Sequence, residues 1–359
     1  MLRKLTRPVF VGGVKVGGGA PVAVQSMTCT DTRDVKATVT QIKALEDAGC
    51  ELVRVAVSDQ EAAAALKAIK KQIRMPLIAD IHFNHRLALV AMKNGVDGIR
   101  INPGNIGAEK IRAVVRAAKK RDVAIRIGIN AGSLDKELFA KYGGPTPEAL
   151  VESAMNSIAL LEEQDFSAIK VSLKSSNVSA TIEACRRFSA QSDYPLHLGV
   201  TEAGTLVNAA IKSAIGIGTL LAEGIGDTIR VSVTGDPVSE MGIAYGILCA
   251  LNIRKVGPDI IACPTCGRCE IDLCKLVQEV EKQLAGQKDY LKIALMGCVV
   301  NGPGEAAEAD IGIAGGRGSG MLFKKGRIVR KVREEDFVPV LIEEIRQMLI
   351  THELKRLDE

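Results

Sequence analysis

The sequence predicts an α/β protein: an eight-stranded parallel (β/α)8 barrel of the TIM-like type, followed by a small α+β domain. Three observations carry this. Short apolar runs alternate with helical patterns from residue 20 to about residue 256, at spacings of roughly 22–46 residues, which argues for parallel pairing. Eight such units in about 235 residues match the size of a closed barrel. No Gly-x-Gly-x-x-Gly turn follows the first strand, as an open doubly wound sheet would favour. Lys255-Val256-Gly257-Pro258 then breaks the alternation, so the barrel is expected over 1–256 and the second domain over 257–359.

The elements follow in order. Strand 22–27 leads to a helix over about 34–48, stopped by Gly49. Strand 52–57 precedes an Ala-rich helix over about 59–73, and strand 77–82 one over about 85–93 that stops at Asn94-Gly95. Strand 98–102 runs into Pro103-Gly104-Asn105 and a basic helix over about 107–120. Strand 124–130 is followed by a helix over about 147–163, opened by Thr146-Pro147-Glu148. Strands 168–174, 196–200 and 228–233 complete the set. Beyond the boundary the pattern gives a helix over about 270–284, a strand at 291–295, an apolar stretch at 310–314, a Gly-rich turn, a strand region at 323–332 and a last helix over about 334–354.

Composition narrows the function. With 47% hydrophobic and 25% charged residues, the 359-residue chain reads as soluble and globular. A net charge of +5, dispersed along the chain, is too mild for nucleic acid, and with no Trp and 3% aromatics stacking platforms are scarce. No signal peptide and no apolar run of membrane length is visible. Nine cysteines in such a chain are expected to be reduced thiols and ligands, in the cytoplasm.

Five strands share an apolar–base–apolar core: Val53-Arg54-Val55, Ile99-Arg100-Ile101, Ile125-Arg126-Ile127, Ile169-Lys170-Val171 and Ile229-Arg230-Val231. Side chains two apart share a strand face, and each base continues through small or polar residues such as Asn102, Asn130, Ser172, Lys174 and Ser232. That face is expected to point into the barrel. Arg54, Arg100, Lys170 and Arg230 lie on even strands, and alternate strands supply one layer. Asp80 and Glu202 are too few to pair all these cations, so a multiply anionic ligand is expected at the mouth. Glu202, ending the seventh strand, is a candidate acid; His82 and His197 sit near strand ends.

The second chemical signal runs from 263 to 305. Cys263-Pro264-Thr265-Cys266 offers two thiols from one turn, and Cys298 stands in a Gly/Pro-rich loop. Cys269 and Cys274 extend the first motif to C-x2-C-x2-C-x4-C, but Cys274 falls on a predicted helix. Thiolates suit iron–sulfur or zinc; no second Cys-x-x-Cys completes a zinc ribbon, which favours the cluster without excluding zinc.

Several stretches are similar to one family: Gln25-Ser26-Met27-Thr28, Asp80-Ile81-His82-Phe83, Arg100 through Asn105, Gly128 through Leu134, Gly199 through Gly204, and above all Cys263 through Arg268 and Gly297 through Glu305. Over nearly its whole length the chain resembles the bacterial 4-hydroxy-3-methylbut-2-enyl diphosphate synthases, in their short two-domain form. The resemblance implies an oxidoreductase late in the non-mevalonate isoprenoid pathway. Its reaction would be the two-electron reductive ring opening and dehydration of 2-C-methyl-D-erythritol 2,4-cyclodiphosphate. It implies a 4Fe-4S cluster held by Cys263, Cys266, Cys298 and the carboxylate of Glu305, with Cys269 and Cys274 as spectators. It assigns Arg54, Arg100, Arg126 and Lys174 to the diphosphate, with Asn102, Asn130 and Ser232 in support, and makes Glu202 and Glu305 catalytic. Flavodoxin or ferredoxin is the implied electron donor, and a head-to-tail homodimer the implied assembly. The rivals are a barrel lyase or transferase with structural zinc, and an iron–sulfur electron carrier; metal content and cyclodiphosphate binding separate them.

Overall fold

A computed structural model describes residues 2–103, 106–298 and 308–357, and the chain forms two compact units, Met1–Arg254 and Lys255–Glu359. The first opens with a hairpin, β1 (Val9–Val11) and β2 (Val14–Val16), turned by Gly12-Gly13 with Gly12 at φ 57°. Strands and helices then alternate: β3 (Ala23–Met27), α1 (Val35–Asp47), β4 (Leu52–Ala56), α2 (Gln60–Lys70), β5 (Leu77–Asp80), α3 (His85–Lys93), β6 (Gly98–Ile101) and α4 (Ala108–Lys119). After β7 (Ala124–Asn130) come α5 (Lys136–Tyr142), α6 (Pro147–Glu162), β8 (Ile169–Lys174), α7 (Val178–Gln191), β9 (His197–Leu198), α8 (Leu206–Ala222), β10 (Thr228–Ile229) and α9 (Ser239–Ala250). Side-chain caps explain many of the starts: Asp34, Asp59, Asn84, Asp135, Thr146 and Asn177 each accept from a backbone N–H in the first turn.

The eight strands from β3 to β10 pair in parallel, in the order β8-β7-β6-β5-β4-β3-β10-β9. The ring closes weakly between its ends, through the Val171–Leu196 bridge and the Val171 N–H donating to Pro195 O at 3.0 Å. Outward Val, Ile and Leu side chains such as Val53, Val55, Ile125 and Ile127 pack under the helices in one continuous core. The inward face is closed from below by the hairpin. Val9, Val11 and Val16 pack on Ala23, Leu52, Ile78 and Ala124 at the amino ends of the strands. That hairpin and α5 extend the expected order; the alternating Val9–Val16 run around Gly-Gly is its sequence signal.

The second unit is a five-stranded mixed sheet, ordered β11 (Pro258–Ala262), β12 (Leu291–Met296), β13 (Ile311–Gly316), β14 (Ser319–Lys324), β15 (Arg327–Arg333). Helices α10 (Leu273–Gln283) and α11 (Phe337–Leu357) cover one face with Leu276, Val280, Leu341 and Ile345. Among the described residues no helix is long and apolar enough to cross a membrane.

Candidate functional site

Strand register sets the site. Around the ring, Gln25 pairs with Leu52, Asp80 with Arg100, Arg100 with Arg126, Arg126 with Lys170, and Thr228 with both His197 and Ala23. One circuit displaces the register by the shear of about 8 usual for this barrel, so each layer is met one residue further along per strand. From the plug upward the inward layers are then Leu52, Gly98, Lys170 and Thr228; Gln25, Ile78, Arg126 and His197; and Arg54, Arg100, Ser172 and Arg230. Above them lie Met27, Asp80, Gly128 and Gly199, then Ala56, Asn102, Lys174 and Ser232. Lys170 therefore does not share the layer of Arg54, Arg100 and Arg230. It lies one even layer deeper, and Ser172 takes the expected place, because the local apolar–base–apolar pattern carries no information about shear.

A cavity of about 260 Å³ opens above the arginine layer, lined by Arg54, Arg100, Arg126, Lys174, Asn130 and Ser232 together with Met27, Asp80, His82, Ser172, Thr201 and Arg230. Two absent side chains make room for it. A Cβ on Gly128 would run into the Arg100 guanidinium, and one on Gly199 into Lys174 Nζ and Arg230 O.

Charge in this cavity is unbalanced. Asp80 receives Arg100 Nη1 at 3.2 Å and Arg54 Nε at 3.5 Å. Burial works against its carboxylate, yet Arg54, Arg100 and Arg126 hold it below the ordinary value. Arg54 is pushed down to about 10, by burial first, despite Asp80. Its guanidinium also donates to Met27 Sδ at 3.0 Å. Arg230 has its own acid: buried Glu240 on α9, at 3.1 Å, which also accepts from Ser26 Oγ at 2.7 Å. Among the described residues no carboxylate lies within ion-pair distance of Arg126, Lys170 or Lys174, and Arg126 leaves Nε and Nη1 unpartnered. Burial, then neighbouring cations, push both Arg126 and Lys174 far below their ordinary values. Buried cations left this way are costly unless an anion joins them.

The remaining expected residues fare differently. Asn102 is buried beside the cavity and donates to Ser133 O at 3.2 Å, leaving Oδ1 unpartnered. Glu202 stands in the loop after β9 in a left-handed backbone (φ 56°), its side chain exposed and outside the cavity lining. His82 approaches Arg100 Nη1 at 3.2 Å; His197 is buried, with Nδ1 2.9 Å from Thr228 Oγ1. Glu240 was not anticipated. A single acid at the head of the apolar run from Met241 to Ala250 is the signal that it has a buried partner.

In the second unit, Cys263 and Cys298 follow the carboxyl ends of the adjacent parallel strands β11 and β12. The Gly297 N–H donates to Cys263 Sγ at 3.2 Å. Cys266 stands exposed on the turn, its thiol lowered first by the Arg268 N–H and then, against burial, by the Arg268 charge. Cys269 donates to Ile271 O at 3.3 Å and lies where a Cβ on Gly297 would go; Cys274 is exposed in the first turn of α10. The donors fit a soft, thiolate-held centre: two thiols at neighbouring strand ends and one activated on a turn. Among the described residues no three donors are gathered into a closed metal set, and Glu305 lies outside the described residues.

Comparison with known proteins covers both units. The 4-hydroxy-3-methylbut-2-en-1-yl diphosphate synthase (flavodoxin) of Thermodesulfovibrio yellowstonii is 60% identical over 346 residues, covering 96% of this chain and 99% of that one. Its namesake from Clostridium perfringens is 60% identical over 343 residues, 95% and 98% of the two chains. Among solved structures, a dihydropteroate synthase from Stenotrophomonas maltophilia aligns with 65% of this chain and 93% of its own at 14% identity, TM-score 0.49. The GcpE TIM-barrel domain matches residues 6–245 and the GcpE protein C-terminal domain residues 259–347; the chain belongs to the GcpE family.

Proposed function

We propose that this chain is an oxidoreductase that opens 2-C-methyl-D-erythritol 2,4-cyclodiphosphate reductively and removes water, giving (E)-4-hydroxy-3-methylbut-2-enyl diphosphate. One observation carries the reading: among the described residues Arg126 and Lys174 face the cavity without a carboxylate, beside Arg54 and Arg100 that share Asp80. A cyclic diphosphate supplies the missing charge. Arg54, Arg100, Arg126 and Lys174 grip it, Asn130 and Ser232 orient it, and Asn102 Oδ1 steadies the rim. When the ring opens, the fixed cations hold the diphosphate that leaves carbon, at no reorganisation cost. Glu202, on the loop after β9, is the proton donor to the departing hydroxyl in this reading.

Cys263, Cys266, Cys298 and Glu305 would hold a 4Fe-4S cluster, which supplies single electrons and a Lewis-acidic iron. The relatives' names carry flavodoxin, and we take flavodoxin as the donor here, with ferredoxin as the alternative to be assayed. A cluster held by thiolates favours a reducing compartment such as the cytoplasm. We take the assembly to be a head-to-tail homodimer in which one copy's cysteine unit covers the other's barrel mouth. On α8, Val207, Ile211 and Ile215 stand exposed four residues apart, an apolar face suited to a second copy.

The test is anaerobic purification with iron and sulfide counted per chain, then turnover of the cyclodiphosphate with reduced flavodoxin and, separately, ferredoxin. About four irons per chain and formation of the open diphosphate support the reading. Zinc in their place, or no turnover with either donor, sinks it.

A further inference from the structure

Lys170 lies beneath the cavity and has no role in the chemistry above. Its side chain is 2% exposed, and among the described residues Nζ has no hydrogen-bond partner. By register its own layer and the next two hold Arg126 from β7, Arg54 and Leu52 from β4, His197 from β9, Thr228 and Arg230 from β10, Gln25 from β3, Ile78 from β5, and Gly98 and Arg100 from β6; Arg126 and Arg54 are the cations that act on it. Below it the hairpin brings Val9, Val11 and Val16. The acid that acts on it is Asp227, whose oxygens are engaged by Thr6 Oγ1 at 3.0 Å, the Leu196 N–H at 3.0 Å and Arg3 at 3.3 Å. Gln25 and His197 Nε2 are likewise unpartnered, so the layers around Lys170 form a polar floor with cations above it and a spent carboxylate beside it.

We propose that Lys170 is the proton acceptor of this floor: its amine is neutral while the cavity lacks an anion, and it takes a proton from solvent when a cyclic diphosphate binds above. The reading rests on the proposed anion site. The physical basis is that guanidinium groups keep their protons in proteins, so repulsion within the layer is relieved at an amine. Burial, then Arg126 and Arg54, push Lys170 down to about 7. A dianion seated between those arginines and the mouth lowers the positive potential at Nζ and favours the ammonium. His197 stays neutral, its affinity for a proton driven far down by burial and by Lys174. At Lys170 the balance is one proton from buffer to Nζ for each anion bound, counted apart from any that Lys174 takes up, with no covalent bond changed.

The test uses the oxidised holoenzyme, without reductant, and the cyclodiphosphate itself. Each of its phosphates is a diester-like acid, so the ligand neither gains nor loses a proton near neutrality. Calorimetric titration at pH 8 in buffers of different ionisation enthalpy counts protons taken up per ligand. The wild type is expected to take up close to one proton more than Lys170→Met, and Lys174→Met to retain the Lys170 share. Equal uptake by wild type and Lys170→Met overturns the proposal while leaving the anion site standing. Absence of cyclodiphosphate binding overturns the anion site and the proposal with it. A Lys170→Met protein that fails to fold also counts against it, because removing an unpartnered buried amine relieves strain on the barrel.

Discussion

Arg54, Arg100 and Arg126 are held by a continuous ladder of parallel strands, whereas Cys266 stands exposed on a turn and Cys298 just past a strand end. The two regions place their reactive groups by different means. In the barrel, backbone hydrogen bonds choose the layer, and flanking Val and Ile side chains lock it into the core. In the second unit, two strands bring Cys263 and Cys298 to neighbouring ends, and closing the set is left to whatever binds the sulfurs. An anion should therefore find its site ready made, while a cluster must complete its own. The two sites are expected to fail independently.

The largest effect tests that independence. Cys263→Ala or Cys298→Ala is expected to lose cluster iron and reduce turnover to background, while cyclodiphosphate binding measured by calorimetry weakens less than about tenfold. Glu305→Ala should leave a labile cluster with little activity, and Cys269→Ala should keep full iron content. If a cysteine variant abolished ligand binding, the barrel would not be preorganised in the sense argued.

Asp80→Asn attacks the other region. It leaves Arg54 and Arg100 without their shared carboxylate and is expected to cost about 3–5 kcal/mol of stability. The acid limb of the stability profile follows the same residue. Asp80 has a folded pKa below its ordinary value, so its contribution is present above pH ~4 and is lost as the pH falls through the folded value. Chemical denaturation between pH 5 and 2 should show a shallower pH dependence in Asp80→Asn than in the wild type.

Most of the barrel was legible because its strands alternate apolar outward residues with small or basic inward ones, and because Thr146, Asn94-Gly95 and Gly49 mark helix ends. Local pattern stops short of two things. Shear couples all eight strands, so only the closed ring shows that Lys170 lies below Arg54 rather than beside it. Side-chain direction at strand ends also depends on loops, which is why Asn102 turns to Ser133 and Glu202 turns outward although both were expected at the mouth. Pro258 read as a breaker, yet it begins β11, where proline is tolerated as a first strand residue.

Lys170→Met sharpens the contrast from the side of stability. The folded state holds this lysine near 7 against an unfolded value of 10.5. The cost of burying it is complete below pH ~7, declines as the pH rises, and vanishes above the unfolded value. Lys170→Met is therefore expected to be more stable than the wild type by about 2–4 kcal/mol at pH 6–7. The advantage should fade toward pH ~10.5, read from denaturant midpoints across that range. Thiol substitutions in the second unit, such as Cys274→Ala on an exposed helix turn, should shift stability by no more than about 0.5 kcal/mol.

The smallest expected effect separates two glycines that look alike in the sequence. At Gly128 an added methyl first meets the Arg100 side chain, a guanidinium pinned between Asp80 and Gly128 O. At Gly199 it meets Lys174 and also the backbone oxygen of Arg230, which cannot swing aside. Gly128→Ala should thus fold, displace Arg100, and weaken cyclodiphosphate binding roughly tenfold, about 1.4 kcal/mol. Gly199→Ala should lower the unfolding temperature as well, since the β9–β10 pairing must give way. Equal binding by Gly128→Ala and wild type would mean that the position of Arg100 chosen by the ladder is not the one the anion needs.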